Sequence, residues 1–314
     1  MRRLSFIVNP AAGGGREARR GYPLLRKIRA QAPGAEVLIT RQPGDARRWA
    51  EERRSDRGRI VVAVGGDGTV SEIGSALAGG EAALGVLPSG SGNDFARMLE
   101  TPQEVAKAVA FFNTATAGLC DVGEVVVLHA DGERSRHRFL VGLGVGYPGV
   151  VAATASHAGL LKGFSSYLVA ALRGLFTYHS QHMTFTSDSG CISQRLFLVV
   201  VGKGRWCGGG FQLLPQARMD DGWLHVCLAD AMPVRRILRI LLSAVKGSHG
   251  RHPEVALERT THLSITCAEG AMVHSDGEWV ASHAVRIEVR LLPRSLAVLG
   301  APCAGGVGVS PRHD

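Results

Sequence analysis

Gly65-Gly66-Asp67-Gly68-Thr69 gathers a carboxylate, a hydroxyl and three glycines directly after the apolar run Ile60-Val61-Val62-Ala63-Val64. Glycines let backbone N–H groups converge on an anion. The helix predicted to follow, with Val70, Ile73 and Leu77 on one face, adds the positive end of its dipole. Asp67 is out of place in a pure anion cradle, because its charge repels phosphate. It fits if a divalent cation lies between the carboxylate and phosphate oxygens. The chemistry is then that of a nucleotide–metal site. Nothing in the chain reads G-x-x-x-x-G-K-[S/T]. Backbone amides of Gly65, Gly66, Gly68, Thr69, Val70 and Ser71 would hold phosphate in its place, with the Thr69 hydroxyl beside them. The other reading of the same residues is an ordinary tight βα turn.

A second loop bears on that choice. Gly85-Val86-Leu87-Pro88 reads as another strand end, and Ser89-Gly90-Ser91-Gly92-Asn93-Asp94-Phe95-Ala96-Arg97 follows it. Two strand-to-glycine-loop units in succession place their loops at one sheet edge, where open α/β sheets bind ligands. The elements that must position them alternate. Strands are predicted over Leu4–Val8, Glu36–Ile39, Ile60–Val64 and Leu84–Leu87. Helices are predicted over Glu17–Ala30, Asp45–Arg53, Ser71–Ala78 and Gln103–Asn113. That alternation implies a parallel sheet covered by helices. After Cys120 the pattern changes. Val122–His129 and Arg138–Val145 flank a polar turn, and strand-like runs recur at His182–Thr186, Leu196–Val201, Trp223–Leu228, Leu263–Thr266 and Val285–Leu291. The fold class read from this is α/β: an N-terminal parallel-sheet nucleotide-binding domain (residues 1–118), then a mainly antiparallel β domain (119–300). A small, polar, frayed tail (301–314) ends the chain.

Composition narrows the partners. The 314 residues carry a formal net charge of +9 and 45% hydrophobic residues, normal for globular domains with their own cores. No apolar run reaches the roughly 18 residues of a spanning helix. Met1-Arg2-Arg3 leads straight into a strand rather than a signal peptide, so the expected location is cytoplasmic, at the inner face of the membrane. The six cysteines lack a C-x-x-C pair, and the pairs His179/His182 and His249/His252 lack a third ligand. The basic excess favours an anionic partner. Aromatics are only 6%, which argues against nucleic acid and for an anionic lipid surface. Two helical stripes fit a core, the commoner outcome, or that surface: residues 160–175, and Val234–Val245 with Ile237, Leu238, Leu241 and Leu242 beside Arg235, Arg236, Arg239 and Lys246.

Gly65–Thr69 with Glu72, and Gly90–Arg97, resemble the signatures of the diacylglycerol kinase catalytic family, which includes bacterial lipid kinases and sphingosine and ceramide kinases. Asn9-Pro10-Ala11-Ala12-Gly13-Gly14 is similar to its opening loop. Gly208-Gly209-Gly210, Pro215-Gln216-Ala217 and Asp220-Asp221-Gly222 resemble its second-domain signature, and Asp276-Gly277-Glu278 its last motif. The resemblance implies a β-sandwich-like second domain, nucleotide in the cleft, and phosphate transfer from ATP, with Mg²⁺, to a lipid hydroxyl at a membrane surface. Diacylglycerol is the leading acceptor; sphingoid and ceramide acceptors, or a regulator without turnover, are the alternatives. Implied nucleotide contacts are Asn9, Pro10, Thr40, the Gly65–Ser71 amides, Ser91, Asn93 and Asp94. Asp67 is the implied ligand of the catalytic Mg²⁺, and Asp276 or Glu278 the base, with Glu278 slightly favoured as proton acceptor. Asp220-Asp221-Gly222 is implied to be a structural cation loop, with ligands from Asp221 and the backbone oxygens of Arg218 and Trp223. The other reading of that loop is an acidic β-turn, and Asp276-Gly277-Glu278 standing alone would read first as an ordinary turn. One departure stands out: Lys203 occupies a position where the family typically shows Asn. Near the cleft it would bind phosphate, mark another acceptor, or signal lost activity.

Overall fold

The computed structural model describes residues 2–19, 22–90, 92–99, 101–157, 173–208 and 210–301. Four short strands build the first sheet: β1 (Arg3–Val8), β2 (Glu36–Ile39), β3 (Arg59–Gly65) and β4 (Ala83–Pro88). All pair in parallel, in the order β4-β3-β1-β2. The chain leaves β1 for one edge and β3 for the other, so a topological switch point lies between them. The apolar run of β3 divides by alternation. Ile60, Val62 and Val64 pack with Leu25, Ile28 and Phe112 from α2 (Pro23–Gln31) and α5 (Val105–Thr114). Val61 and Ala63 pack with Ala46, Ala50, Ile73 and Leu77 from α3 (Asp45–Arg53) and α4 (Asp67–Leu77). Burial on both faces explains why β3 reads as a continuous apolar run.

Two helix boundaries depart from expectation. The helix predicted over Glu17–Ala30 is divided into α1 (Ala12–Arg19) and α2, with Pro23 in the first turn of α2, a position where a missing N–H costs no hydrogen bond. The helix predicted from Ser71 begins at Asp67. The glycine turn is therefore the first turn of α4, which brings its free amides to the strand end.

Antiparallel strands form the rest: β5 (Ala117–His129), β6 (Arg134–Phe139), β7 (Gly142–Gly146), β8 (Gln181–Ser187), β9 (Gly190–Gly202), β10 (Leu224–Asp230), β11 (Val255–Thr260), β12 (His262–Ser275) and β13 (Glu278–Leu299). Strands β7 and β8 each pair with both β9 and β12, folding the sheet around Val145, Phe185, Val199, Leu224, Ile265 and Ile287. This is the expected α/β architecture with an antiparallel, sandwich-like second part. The last strand joins the two parts. β13 pairs with β12 and β5, then ends parallel to β4 at Val298 and Leu84, placing Leu296 and Val298 in the α3/α4 core.

Outside the sheet, α6 (Tyr147–His157) and α7 (Val234–Val245) cover β9 and β10. Helix α7 buries Ile237, Ile240 and Ala244 against that core. The helical stripe expected over 160–175 lies outside the described residues up to position 172; at its end, Leu175 is buried beside Tyr147 and Phe197. Residues 302–314 also lie outside the described residues.

Candidate active site

Four strand ends meet at one edge. Asn9 follows β1, Thr40 follows β2, Gly66 follows β3 and Ser89 follows β4. The Asn9 side chain bridges the switch point: Nδ2 donates to Thr69 Oγ1 at 2.9 Å, and Oδ1 accepts from the Ala11 amide at 3.0 Å, spanning Pro10. Thr40 donates its amide to Val8 O at 2.9 Å, which sets it beside Asn9. Thr69 is 5% exposed, and its hydroxyl is turned toward Asn9 and Gly65. Val70 sends its side chain into the core, so only its backbone belongs to the site.

The two glycine loops touch backbone to backbone. A Cβ on Gly90 would stand 2.4 Å from Gly66 Cα, and one on Gly92 would stand 2.8 Å from Asp67 Oδ2. Any side chain at either position would push the loops apart or displace the carboxylate. Asn93, at φ 56°, braces the second loop: Oδ1 accepts from Gly90 N and Nδ2 donates to Gly90 O, both at 3.1 Å. Asp94 is buried and lies 3.4 Å from Arg97. Asp67 Oδ1 accepts the Phe95 amide at 3.1 Å. Burial raises the Asp67 carboxyl above its ordinary value, opposed by the amides of Phe95, Asn93 and Asp94. Ser91 lies outside the described residues.

The third component comes from the far end of the chain. Asp276 and Gly277, at φ 48° and 85°, form the two-residue turn joining β12 to β13, the Asp-Gly signature of a type I′ hairpin. The ordinary-turn reading is thus correct for the backbone, yet the side chains do more. The Asp276 carboxylate accepts four hydrogen bonds: Ser71 Oγ at 2.6 Å and the amides of Leu140, Val141 and Gly142 at 2.8, 2.9 and 2.8 Å. That capture interrupts the strand predicted over Arg138–Val145, which becomes β6 and β7. Burial raises the Asp276 carboxyl, and the Ser71 hydroxyl and the three amides oppose it.

Glu278 differs. It is exposed to the cleft, and a Cβ on Gly68 would stand 3.2 Å from its Oε1. Desolvation raises its carboxyl above the ordinary range, helped by the charges of Glu72 and Asp276 and opposed by Arg47. The hairpin therefore brings Glu278 against the first turn of α4, on the same turn as Asp67. Glu72 and Arg47 reach it only because α3 and α4 pack together, with Arg47 N donating to Glu72 Oε1 at 3.1 Å.

The implied structural cation loop is arranged otherwise than the resemblance suggests. Asp221 Oδ1 and Trp223 O lie 2.5 and 2.6 Å from Lys203 Nζ, and the Arg218 guanidinium faces Asp220 at 3.3 Å. Lys203 is fully buried rather than at the cleft, and Asp121, unremarked in the sequence, is its third partner at 2.9 Å. Burial would raise the Asp221 carboxyl, but His225 and Lys203 outweigh it and hold it at about 2.

A parallel-sheet lobe with paired glycine loops, closed by a carboxylate hairpin from a β-sandwich lobe, defines the class of diacylglycerol-kinase-like and NAD-kinase-like folds. Residues 3–125 match the diacylglycerol kinase catalytic domain, and residues 142–300 match the YegS C-terminal NAD kinase beta sandwich-like domain. The chain belongs to the diacylglycerol kinase catalytic-domain family, in its YegS-like branch of lipid kinases. It is 34% identical over 255 residues to the "Probable lipid kinase YegS-like" of Pseudomonas aeruginosa, covering 81% of each chain. A "Diacylglycerol kinase" of Staphylococcus aureus is 24% identical, with 88% of this chain and 86% of that one covered. In fold, it is similar to the crystal structure of a diacylglycerol kinase from Bacillus anthracis, with TM-score 0.67, 23% identity, and 96% and 97% of the two chains covered.

Proposed function

We propose that this protein is an ATP- and Mg²⁺-dependent lipid kinase that transfers the γ-phosphate to a lipid hydroxyl, with diacylglycerol the leading acceptor and phosphatidic acid the product. The observation that carries the reading is the convergence of Asp67, the two glycine loops and Glu278 on the first turn of α4. The cradle fits a nucleotide's phosphates, because Gly66, Gly90 and Gly92 leave no side chain between the loop backbones and the Asp67 carboxylate. Asn9 and Thr40 would close over the nucleotide from the neighbouring strands. When bound, Mg²⁺ would offset the phosphate charge, with Asp67 as its protein ligand.

Between the two hairpin carboxylates, the geometry favours Glu278 as base. The four donors on Asp276 occupy its oxygens, and among the described residues no hydrogen-bond donor occupies the Glu278 carboxylate. A carboxyl raised by desolvation is a better proton acceptor than an ordinary one. Glu278 would take the hydroxyl proton as the lipid oxygen bonds to the γ-phosphorus and the bridging P–O bond breaks, releasing ADP. Asp276 would hold the β6–β7 junction and Ser71 in register around it.

A lipid acceptor needs an interface, and α7 supports one. Leu238, Leu242 and Val245 are 40%, 73% and 47% exposed, at helical spacing beside Arg235, Arg239 and Lys246. No helix among the described residues is long and apolar enough to cross a membrane. The regulator reading rests on Lys203, whose ammonium is enclosed by Asp121, Asp221 and the Trp223 carbonyl rather than free to meet phosphate. The deciding experiment is transfer of labelled γ-phosphate to diacylglycerol, monoacylglycerol, ceramide and sphingosine in mixed micelles, with Asp67→Ala as control. A labelled lipid absent from the control supports the reading and names the acceptor. No labelled lipid from folded, ATP-binding protein refutes it.

A further inference from the structure

The Lys203 cluster follows the end of β9; two of its partners lie 18 and 20 positions further on, and the third, Asp121, comes from the distant strand β5. Its side chain is 0% exposed, and three oxygens surround Nζ: Asp221 Oδ1 at 2.5 Å, Trp223 O at 2.6 Å and Asp121 Oδ2 at 2.9 Å. An ammonium has three N–H donors and no acceptor, so every donor meets an oxygen and none is left over. The carboxylates are satisfied on their other sides too. Asp121 accepts the Gly222 amide at 2.8 Å and the Arg294 amide at 2.9 Å, and Asp221 Oδ2 lies 2.7 Å from His225 Nε2.

We propose that the Lys203 ammonium is the resident cation of this loop, occupying the place the family resemblance gives to a structural divalent metal. Two of the three implied metal oxygens, those of Asp221 and Trp223, are donor-filled by Nζ. Mg²⁺ demands about six oxygens at roughly 2.0–2.1 Å, and the ammonium stands between the very oxygens that would supply them. A second cation there would also face a fixed positive charge at contact distance. A metal thus does not fit beside Lys203. A covalently tethered charge does the same work: it ties β5 through Asp121, the loop before β10 through Asp221 and Trp223, and β13 through Arg294. The backbone of Lys203 continues the tie, donating at 2.9 Å to the carbonyl of Val141, whose own amide Asp276 holds. This inference is independent of the kinase reading.

The test is thermal unfolding without nucleotide, in chelator and in millimolar Mg²⁺ or Ca²⁺. Wild type should unfold at the same temperature in all three. Lys203→Ala removes the ammonium and opens the space beside two carboxylates. Its melting temperature should fall by roughly 5–10 °C in chelator and recover in part, saturably, with either cation. Lys203→Met fills the volume without charge and should fall without recovery. Since the variants' failure to fold would leave the point open, equilibrium dialysis of Mn²⁺ against the intact protein supplies a second measurement. Asp67→Ala protein should bind no Mn²⁺ tightly. A tight site that persists in Asp67→Ala and disappears in Asp221→Asn would overturn the proposal, as would a wild-type melting temperature raised by cation through Asp221.

Discussion

The turn after β3 and the loop before β10 both gather acidic side chains at a strand end, and they differ in what faces them. At the first, Asp67 is met by backbone amides and by glycines that keep side chains away, and burial outweighs those amides and the charge of Arg97 to leave its carboxyl raised. At the second, Asp121 and Asp221 close on a lysine of the same chain. One arrangement leaves its charge to be answered by something that arrives; the other answers it internally. The difference separates sites of binding from sites of architecture: an unanswered buried charge is costly and persists where a ligand supplies the counter-charge. The same contrast recurs within the hairpin, where Asp276 is saturated by four donors and Glu278 is open to the cleft.

Substitutions should divide along that line. The largest effect on transfer is expected from Asp67→Ala, a loss of about 10³-fold or more in kcat/KM with a nearly unchanged melting temperature. If unfolding suffers as much as activity, the contrast between the two acidic loops fails. Glu278→Gln should lower kcat by about 10²–10³-fold and leave ATP affinity unchanged; equal loss of ATP binding would remove it from the base role. The pH profile sharpens this assignment. A base must be deprotonated to act, and the Glu278 carboxyl is raised, so kcat should fall on the acid side at a pH above the ordinary glutamate range. That limb should vanish in Glu278→Gln.

Asp276→Ala is expected to act chiefly on stability, by about 3 kcal/mol or more in denaturant unfolding, because it strands a hydroxyl and three amides at once. Ser71→Ala removes one of those four bonds and should cost about 1 kcal/mol. The smallest effect is expected from Asn93→Ala, which frees the Gly90 loop and should raise the KM for ATP a few-fold without changing kcat.

Much of the first lobe is legible from the chain. Strands β1 to β4 and helix α3 follow from apolar runs and helical spacing, because each pattern states locally which faces are buried. The glycine loops were legible as well, since close backbone approach admits few other residues. The hairpin motif points to Asp276 and Glu278 together and favours Glu278 only slightly as the proton acceptor. Only the capture of the Leu140, Val141 and Gly142 amides, more than 130 positions away, saturates one carboxylate and leaves the other open. The stripe of α7 was ambiguous for a similar reason: packing decided that Ile237 and Ile240 face the core while Leu242 faces solvent.

The sequence by itself determined the two-part α/β and antiparallel architecture, the glycine loops at a shared sheet edge, and the family. These rest on periodicity and on backbone geometries that few residues permit, and both are local properties. The tertiary structure alone decided the partners of each charge. Lys203 was expected at the cleft and lies instead between Asp121 and Asp221, because electrostatic pairing is a matter of distances that strands β5, β9 and β13 set only once they are folded together.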